Sequence, residues 1–299
     1  MDFPGKFSEH ILPDKIHILN VSFLVNKLKK QWGGTAGNIA YNLALLGESP
    51  TVLAAAGKDF STYRKHLTKA GVDLSQVREY QSDFTSTFFV ITDQDDNQLA
   101  GFYLGVMEKA QKLSIKNVRG KVSLSIISPN DPLSMVNYSK ECRQLKIPFI
   151  FDPGQQIPRL SGRAIKDSLK GAKILIGNDY EMELIRRKTN WSNLDILKKV
   201  ETVITTRGAE GSEILSKDFQ LKVPAVKAKK IIDPTGAGDA YRAGIIKGIL
   251  NNWNWQKAGQ VASLAAVYAV EHYGTQEHHY SSKDFIKRYE DNFGRFETG

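Results

Sequence analysis

The chain has 299 residues, 41% hydrophobic and 24% charged, with a formal net charge of +9 and one cysteine. This fits one large α/β domain or two smaller ones, and it excludes an internal disulfide or a cysteine metal cluster. No apolar run approaches the ~20 residues of a bilayer span, the N-terminus lacks the basic-then-apolar pattern of a secretory signal, and the basic residues are dispersed, so a cytoplasmic protein with neither membrane nor nucleic-acid partners is expected.

The first informative segment is GGTAGNIAYNLALLG at 33–47. Gly33 and Gly34 permit close backbone approach to a ligand, and the Asn38 amide offers both a donor and an acceptor. A plain helix start capped by Thr35 or Asn38 explains the same residues. Residues 84–105, FTSTFFVITDQDDNQLAGFYLG, alternate like two strands around the turn Asp95-Asp96-Asn97. With no helix following, this hairpin is either a lid or an edge of the core.

Elsewhere short apolar runs end in polar or turn residues: TVLAAAG at 51–57, LSIISPND at 124–131, IPFIFDPG at 147–154, KILIGND at 173–179 and TVITTRG at 202–208. Each precedes a segment of helical spacing, the pattern of a largely parallel sheet covered on both faces. Ligands in such sheets bind beyond the carboxyl ends of the strands, where Asn130-Asp131, Asp152, Asn178-Asp179 and Thr206-Arg207 fall. Cys142 lies in one of these helices and reads as a small buried apolar group.

Asn178 and Glu181, three apart at a helix start, suit either Mg²⁺ held through water or a helix cap. Thr206, Gly208 and Gly211 lie in a tight turn, near a phosphate or simply in a hairpin. In Asp233-Pro234-Thr235-Gly236-Ala237-Gly238-Asp239 a glycine turn opens a long helix, whose free N–H groups and dipole suit a phosphate. Asp239 beside that nest could accept a proton from an attacking hydroxyl. The last cluster, His272, His278 and His279, fits no zinc pattern and is expected at the surface. No P-loop lysine motif or nucleophile elbow is present.

Taken in order, GGxAGN, NxxE, TRGxxG and DPTGAGD before a long helix resemble the PfkB, or ribokinase-like, family of carbohydrate and nucleoside kinases across nearly the whole chain. The segments GGTAGNIAYNLALLG, ISPNDPLSM, FDPGQQ and DPTGAGDAYRAG are most similar to its bacterial adenosine kinase branch. The resemblance implies a single domain over 1–299: a doubly wound, mostly parallel α/β sheet with helices on both faces and a small β lid at roughly 5–30 and 83–107.

It also implies an ATP-dependent kinase acting on the 5′-hydroxyl of adenosine, with another purine nucleoside or a sugar such as ribose or fructose as the alternative acceptor. Asp239 becomes the base and the amides of Gly236, Ala237, Gly238 and Asp239 the anion hole. Gly33, Gly34, Asn38, Gln155, Gln156 and Phe102 fall on the nucleoside side, and Asn178, Thr206, Gly208 and Gly211 on the nucleotide side. Glu181 takes part in Mg²⁺ handling, and Asp233 and Thr235 match a loop that in many members binds K⁺. Some members dimerise through the lid. Family members normally open with a strand inside the sheet that carries a sugar-binding aspartate. Here Met1 to Phe7 matches the segment after that strand: either the start codon is misassigned and Met1 is an internal methionine, or a genuine truncation leaves an exposed sheet edge and a weakened sugar site, with a non-catalytic nucleoside-binding protein as the competing outcome.

Overall fold

The structure is a computed structural model and describes residues 1–297. Its strands are β1 Ala54–Gly57, β2 Val77–Tyr80, β3 Thr87–Thr92, β4 Gln98–Tyr103, β5 Ser125–Ile127, β6 Phe149–Phe151, β7 Ile174–Asn178, β8 Thr202–Thr206, β9 Ser212–Ser216 and β10 Gln220–Val223. The central sheet runs β10-β9-β8-β7-β6-β5, parallel from β5 to β8 and antiparallel from β8 to β10.

The apolar runs are continuous because both faces of this sheet are covered. Side chains alternate between two separate cores. Phe149, Phe151, Leu175 and Val203 face one core with residues of the helices Pro132–Leu145, Gly162–Leu169 and Asp179–Thr189. Ile150, Ile174, Ile176 and Ile204 face the other, with residues of Thr35–Leu45, Ala237–Leu250 and Trp255–Val270. Cys142 is fully buried in the first core, which pushes its thiol up to about 11. Gly244 lets the last two helices approach closely: a Cβ there would sit 2.3 Å from the Cα of Ala262.

The sheet is not continuous. β1 pairs only with β2, in parallel, and no described strand joins β1 to β5. β1 and β5 thus each keep one edge that no described strand covers. The helix Thr35–Leu45 spans both parts, with Ile39 and Leu43 on the central sheet and Ala40 and Tyr41 against Ala56.

β3 and β4 form an antiparallel hairpin outside both sheets, turning at Asp93–Asn97. Asp93 holds the turn, accepting from the N–H groups of Asp95 and Asn97 and also from Phe7 at 2.9 Å. The N-terminal segment adds to the hairpin through Phe3 N–H to the Thr92 carbonyl at 2.8 Å. Phe3, Phe7 and Phe23 pack on one another at 4.9–5.7 Å between ring centres. No helix among the described residues is long and apolar enough to cross a membrane.

Candidate active site

The helix Ala237–Leu250 begins without a side-chain cap, so no side chain of the protein occupies the N–H groups of its first turn. Gly236 precedes it with φ +84°, a left-handed conformation, and a Cβ there would come within 2.9 Å of Thr275. The anion hole expected of four amides is narrower than that, because the Ala237 N–H turns back onto the Pro234 carbonyl at 3.3 Å.

Asp239 lies in the first helical turn, and its Oδ2 accepts from Asn38 Nδ2 at 2.7 Å. The Asn38 amide has one orientation. Its Oδ1 accepts from Thr275 Oγ1 and Gln276 Nε2, both at 2.8 Å, so its NH₂ must face the carboxylate. Gln276 also donates to Tyr63, whose hydroxyl donates to the Gly33 carbonyl at 2.7 Å, and the Trp32 ring stacks on Tyr63 at 5.2 Å. Asn38 thus sits within the helix Thr35–Leu45 rather than at its cap, and Gly34 is the N-cap residue.

Burial pushes the Asp239 carboxyl up to about 6; Arg242 and Asn38 act against that, while Asp152 and Glu181 add to it. Such a group is ionised at neutral pH yet basic enough to take a proton. Arg242, one turn on, forms a buried bidentate pair with Asp152 at 2.5 and 2.7 Å and donates to the Gly238 carbonyl at 2.9 Å.

Asn178 and Glu181 form a reciprocal capping box at the start of Asp179–Thr189. The Asn178 side chain accepts from the Glu181 N–H and a Glu181 carboxylate oxygen from the Asn178 N–H, both at 2.8 Å. Burial raises the Glu181 carboxyl. Asn178 is paired in register with Thr206 on β8, so the two lie side by side at the carboxyl end of the sheet. Thr206, Gly208 and Gly211 belong to the β8–β9 hairpin, closed by the Arg207 N–H to the Gly211 carbonyl at 2.8 Å.

Asp233 is first a loop clamp, its two oxygens accepting from the N–H groups of Thr235 and Gly274 at 2.9 and 3.0 Å. Gln155 is exposed on the turn after β6, whereas Gln156 is buried and accepts from Arg159 at 3.3 Å. Phe102 on β4 stands opposite Phe88 and is 49% exposed. His278 corrects the expectation of surface histidines. It is fully buried, with Nε2 at 2.8 Å from Asn42 Oδ1, because the segment after Trp255–Val270 folds back under Tyr41. Thr275, Gln276 and Arg242 were not foreseen, since nothing in their local pattern sets them apart from surface polar residues.

No cluster of three metal-ligating side chains occurs among the described residues. The family's Mg²⁺ would therefore take most of its ligands from phosphate and water, with Glu181 close by through water. That donor set fits a nucleotide-borne ion rather than a resident one.

The family model described as pfkB family carbohydrate kinase matches residues 9–281. A nucleoside kinase of Methanocaldococcus jannaschii is 30% identical over 86% of this chain and 85% of its own. The structure of a Burkholderia thailandensis nucleoside kinase in complex with inosine superposes with a TM-score of 0.89 at 35% identity, covering 99% of this chain and 94% of that one. A Thermotoga maritima ribokinase shares the fold at a TM-score of 0.75 and 18% identity, over 91% of this chain and 92% of its own. The protein belongs to the PfkB family of carbohydrate kinases and has the ribokinase-like α/β fold.

Proposed function

We propose that this protein is an ATP-dependent nucleoside kinase that phosphorylates the 5′-hydroxyl of a purine nucleoside, adenosine being the first acceptor to test. The observation that carries this is Asp239: a carboxylate raised to about 6 in the first turn of an uncapped helix, held by an amide of fixed orientation.

The Asp239 carboxylate takes the proton of the 5′-hydroxyl as that oxygen bonds to the γ-phosphorus. The bond to the ADP oxygen breaks, and the N–H groups of Gly238 and Asp239 face the charge on the transferring group. Glu181 would hold Mg²⁺ through water, and the ion would supply neutralisation of phosphate charge. Gly33, Gly34 and Asn38 line the ribose side. Gln155, Gln156 and the aromatic hairpin, read as a lid, favour an acceptor that carries a base over a bare sugar. The relatives named as nucleoside kinases support the same class, and the inosine-bound relative widens the acceptor from adenosine to purine nucleosides. Thr206, Gly208 and Gly211 fall to the nucleotide.

Turnover of ATP with adenosine, inosine, guanosine, cytidine, ribose and fructose tests the reading. Purine nucleosides should exceed the sugars by at least about 100-fold in kcat/KM, the range a site built for hydrogen-bonding and stacking a base commands. A preference for ribose or fructose would overturn it, and nucleoside binding without ATP turnover would favour the non-catalytic alternative. Asp233 and Thr235 carry the cation part of the proposal: replacing K⁺ by tetramethylammonium should lower turnover, and indifference would remove it.

A further inference from the structure

Arg242 lies in the first two turns of the helix Ala237–Leu250, at the end where the helix dipole opposes a positive charge, and it is buried. An arginine in such a place needs strong compensation. Asp152 supplies it, fully buried at the carboxyl end of β6 and bonded to both Nε and Nη2 at 2.5 and 2.7 Å. The third nitrogen, Nη1, reaches the Gly238 carbonyl at 2.9 Å.

That last bond ties the guanidinium to the peptide that precedes Asp239, whose plane the helix itself sets. In a trans peptide the C=O and the following N–H point in opposite directions. The Asp239 N–H is one of the first-turn groups that have no intrahelical acceptor, and it is free for a ligand at the helix start. A Cβ on Gly238 would lie 2.9 Å from Nη1, so the approach itself depends on glycine. Asp152 directly precedes Pro153-Gly154-Gln155-Gln156, so the same pair ties the turn that carries both glutamines to the helix that carries the base.

We propose that Arg242 and Asp152 are positioning residues for the base: the guanidinium, forked onto Asp152 and bonded to the Gly238 carbonyl, holds the helix start that carries Asp239 against the turn after β6 and sets a cation one turn from that carboxylate. The proposal rests on Asp239 being the base of the reading above, but its structural half does not need the identity of the acceptor. The charged and titratable groups facing Asp239 are Arg242 on its own helix, Asp152 after β6, Glu181 on the helix Asp179–Thr189 and Tyr63 on the helix Ser61–Lys69. Arg242 is the cation among them, set against two further carboxylates.

Two readouts test this on the full chain. The first is independent of turnover. Asp239 carboxyl carbon is followed by NMR titration, its signal assigned as the one lost in Asp239→Asn, in the wild type and in Arg242→Met. The midpoint should rise by about one unit or more in Arg242→Met, the usual effect of removing a neighbouring opposite charge. An unchanged midpoint overturns the electrostatic role.

The second is the pair kcat and KM with ATP and the best acceptor. Arg242→Met should lower kcat by about 100-fold, the scale of a catalytic group displaced by about 1 Å, with acceptor KM within about threefold and the acid limb of the pH profile moved to higher pH. Arg242→Lys keeps the charge but loses the fork to Asp152. It should recover the acid limb while kcat stays about tenfold low, and it decides the case if the methionine variant does not fold. Wild-type kcat in either folded variant overturns the positioning role. A wild type inactive on every nucleoside would instead sink the functional reading, and the NMR titration would still decide for or against Arg242.

Discussion

Around Asp239 polar side chains are matched one to another, whereas the β3–β4 hairpin leaves its aromatic side chains in solvent. Asn38, Thr275, Gln276 and Tyr63 form one set of bonds that ends on the Asp239 carboxylate, and Asp152 and Arg242 a second that ends on the neighbouring Gly238 carbonyl. On the hairpin, Phe88, Phe89, Phe102 and Tyr103 are 42–60% exposed. The contrast separates two tasks. The reacting end is ordered before substrate arrives, so no reorganisation is left for the chemical step. The hairpin has apolar surface still to bury, and a ligand that covers it gains by doing so.

The sharpest way to break this comparison is Asp239→Asn. The side chain keeps an oxygen for Asn38 but cannot take a proton. Turnover should fall by about 10²–10⁴, the usual contribution of a general base, while nucleoside affinity stays within a few-fold by calorimetry. Near-normal turnover would remove Asp239 from the mechanism.

The same carboxylate predicts two pH effects. In the wild type, kcat should rise with pH through an acid limb near 6, where the base ionises. For stability the sign is opposite. An acid whose folded pKa lies above its unfolded value of 3.8 keeps its proton in the folded state while the unfolded chain releases it. The folded state therefore loses its advantage as pH rises from 3.8 to about 6. Asp239→Asn should melt higher than the wild type at pH 7.5 and no higher at pH 4, measured by thermal unfolding. An equal or lower melting temperature at pH 7.5 would mean that the base is not held against its own ionisation.

The hairpin predicts a smaller and different change. Phe102→Ala removes a half-exposed ring, so the melting temperature should hardly move. Acceptor KM should rise by about tenfold, as expected from loss of one aromatic contact worth about 1–1.5 kcal/mol, with kcat within about threefold. A fall in kcat with KM unchanged would place Phe102 in the chemistry instead of in binding, and would erase the division of labour between the two regions.

How far the fold and site were readable differs in the same way. β5 to β8 stood out because a strand buried on both faces must be apolar at every position, as in Ile174-Leu175-Ile176. The helix Pro132–Leu145 opens on Asp131 and Pro132, local residues suited to a helix start, with Ser134 N–H donating to Asp131 at 2.9 Å. Asp239 was legible because a glycine turn and an acid next to a helix form a local pattern.

The supports of Asp239 were not legible. Arg242 and Asp152 are 90 residues apart, and each alone is an ordinary charged residue. Gln276 bonds to Asn38 across 238 positions. Pairings of that range leave no period in one sequence. Asn178-xx-Glu181 shows the complementary limit: the motif was visible, but only coordinates show that both side chains serve a capping box at the helix start.

The ordered region reaches back from the base to His278, which predicts a change in stability with little change in turnover. Asn42 Nδ2 donates to the Asn38 carbonyl, so Asn42 Oδ1 faces His278 and fixes the neutral tautomer with its proton on Nε2. Nδ1 is buried without a partner among the described residues, so a second proton there would have nothing to bond. Burial, with His272 and His279 nearby, lowers the imidazole to about 4. A histidine with a lowered folded pKa gives stability that is complete above its unfolded value and is lost as pH falls from about 6.5 to about 4. The loss is on the order of 3 kcal/mol for a shift of that size. His278→Gln can still donate to Asn42 but cannot charge. It should keep wild-type turnover at pH 7.5, and its melting temperature should fall less than that of the wild type between pH 6.5 and pH 4.5. Parallel melting curves for the two proteins would show that the acid sensitivity lies elsewhere, and that the rigid side of the site ends at Asn38.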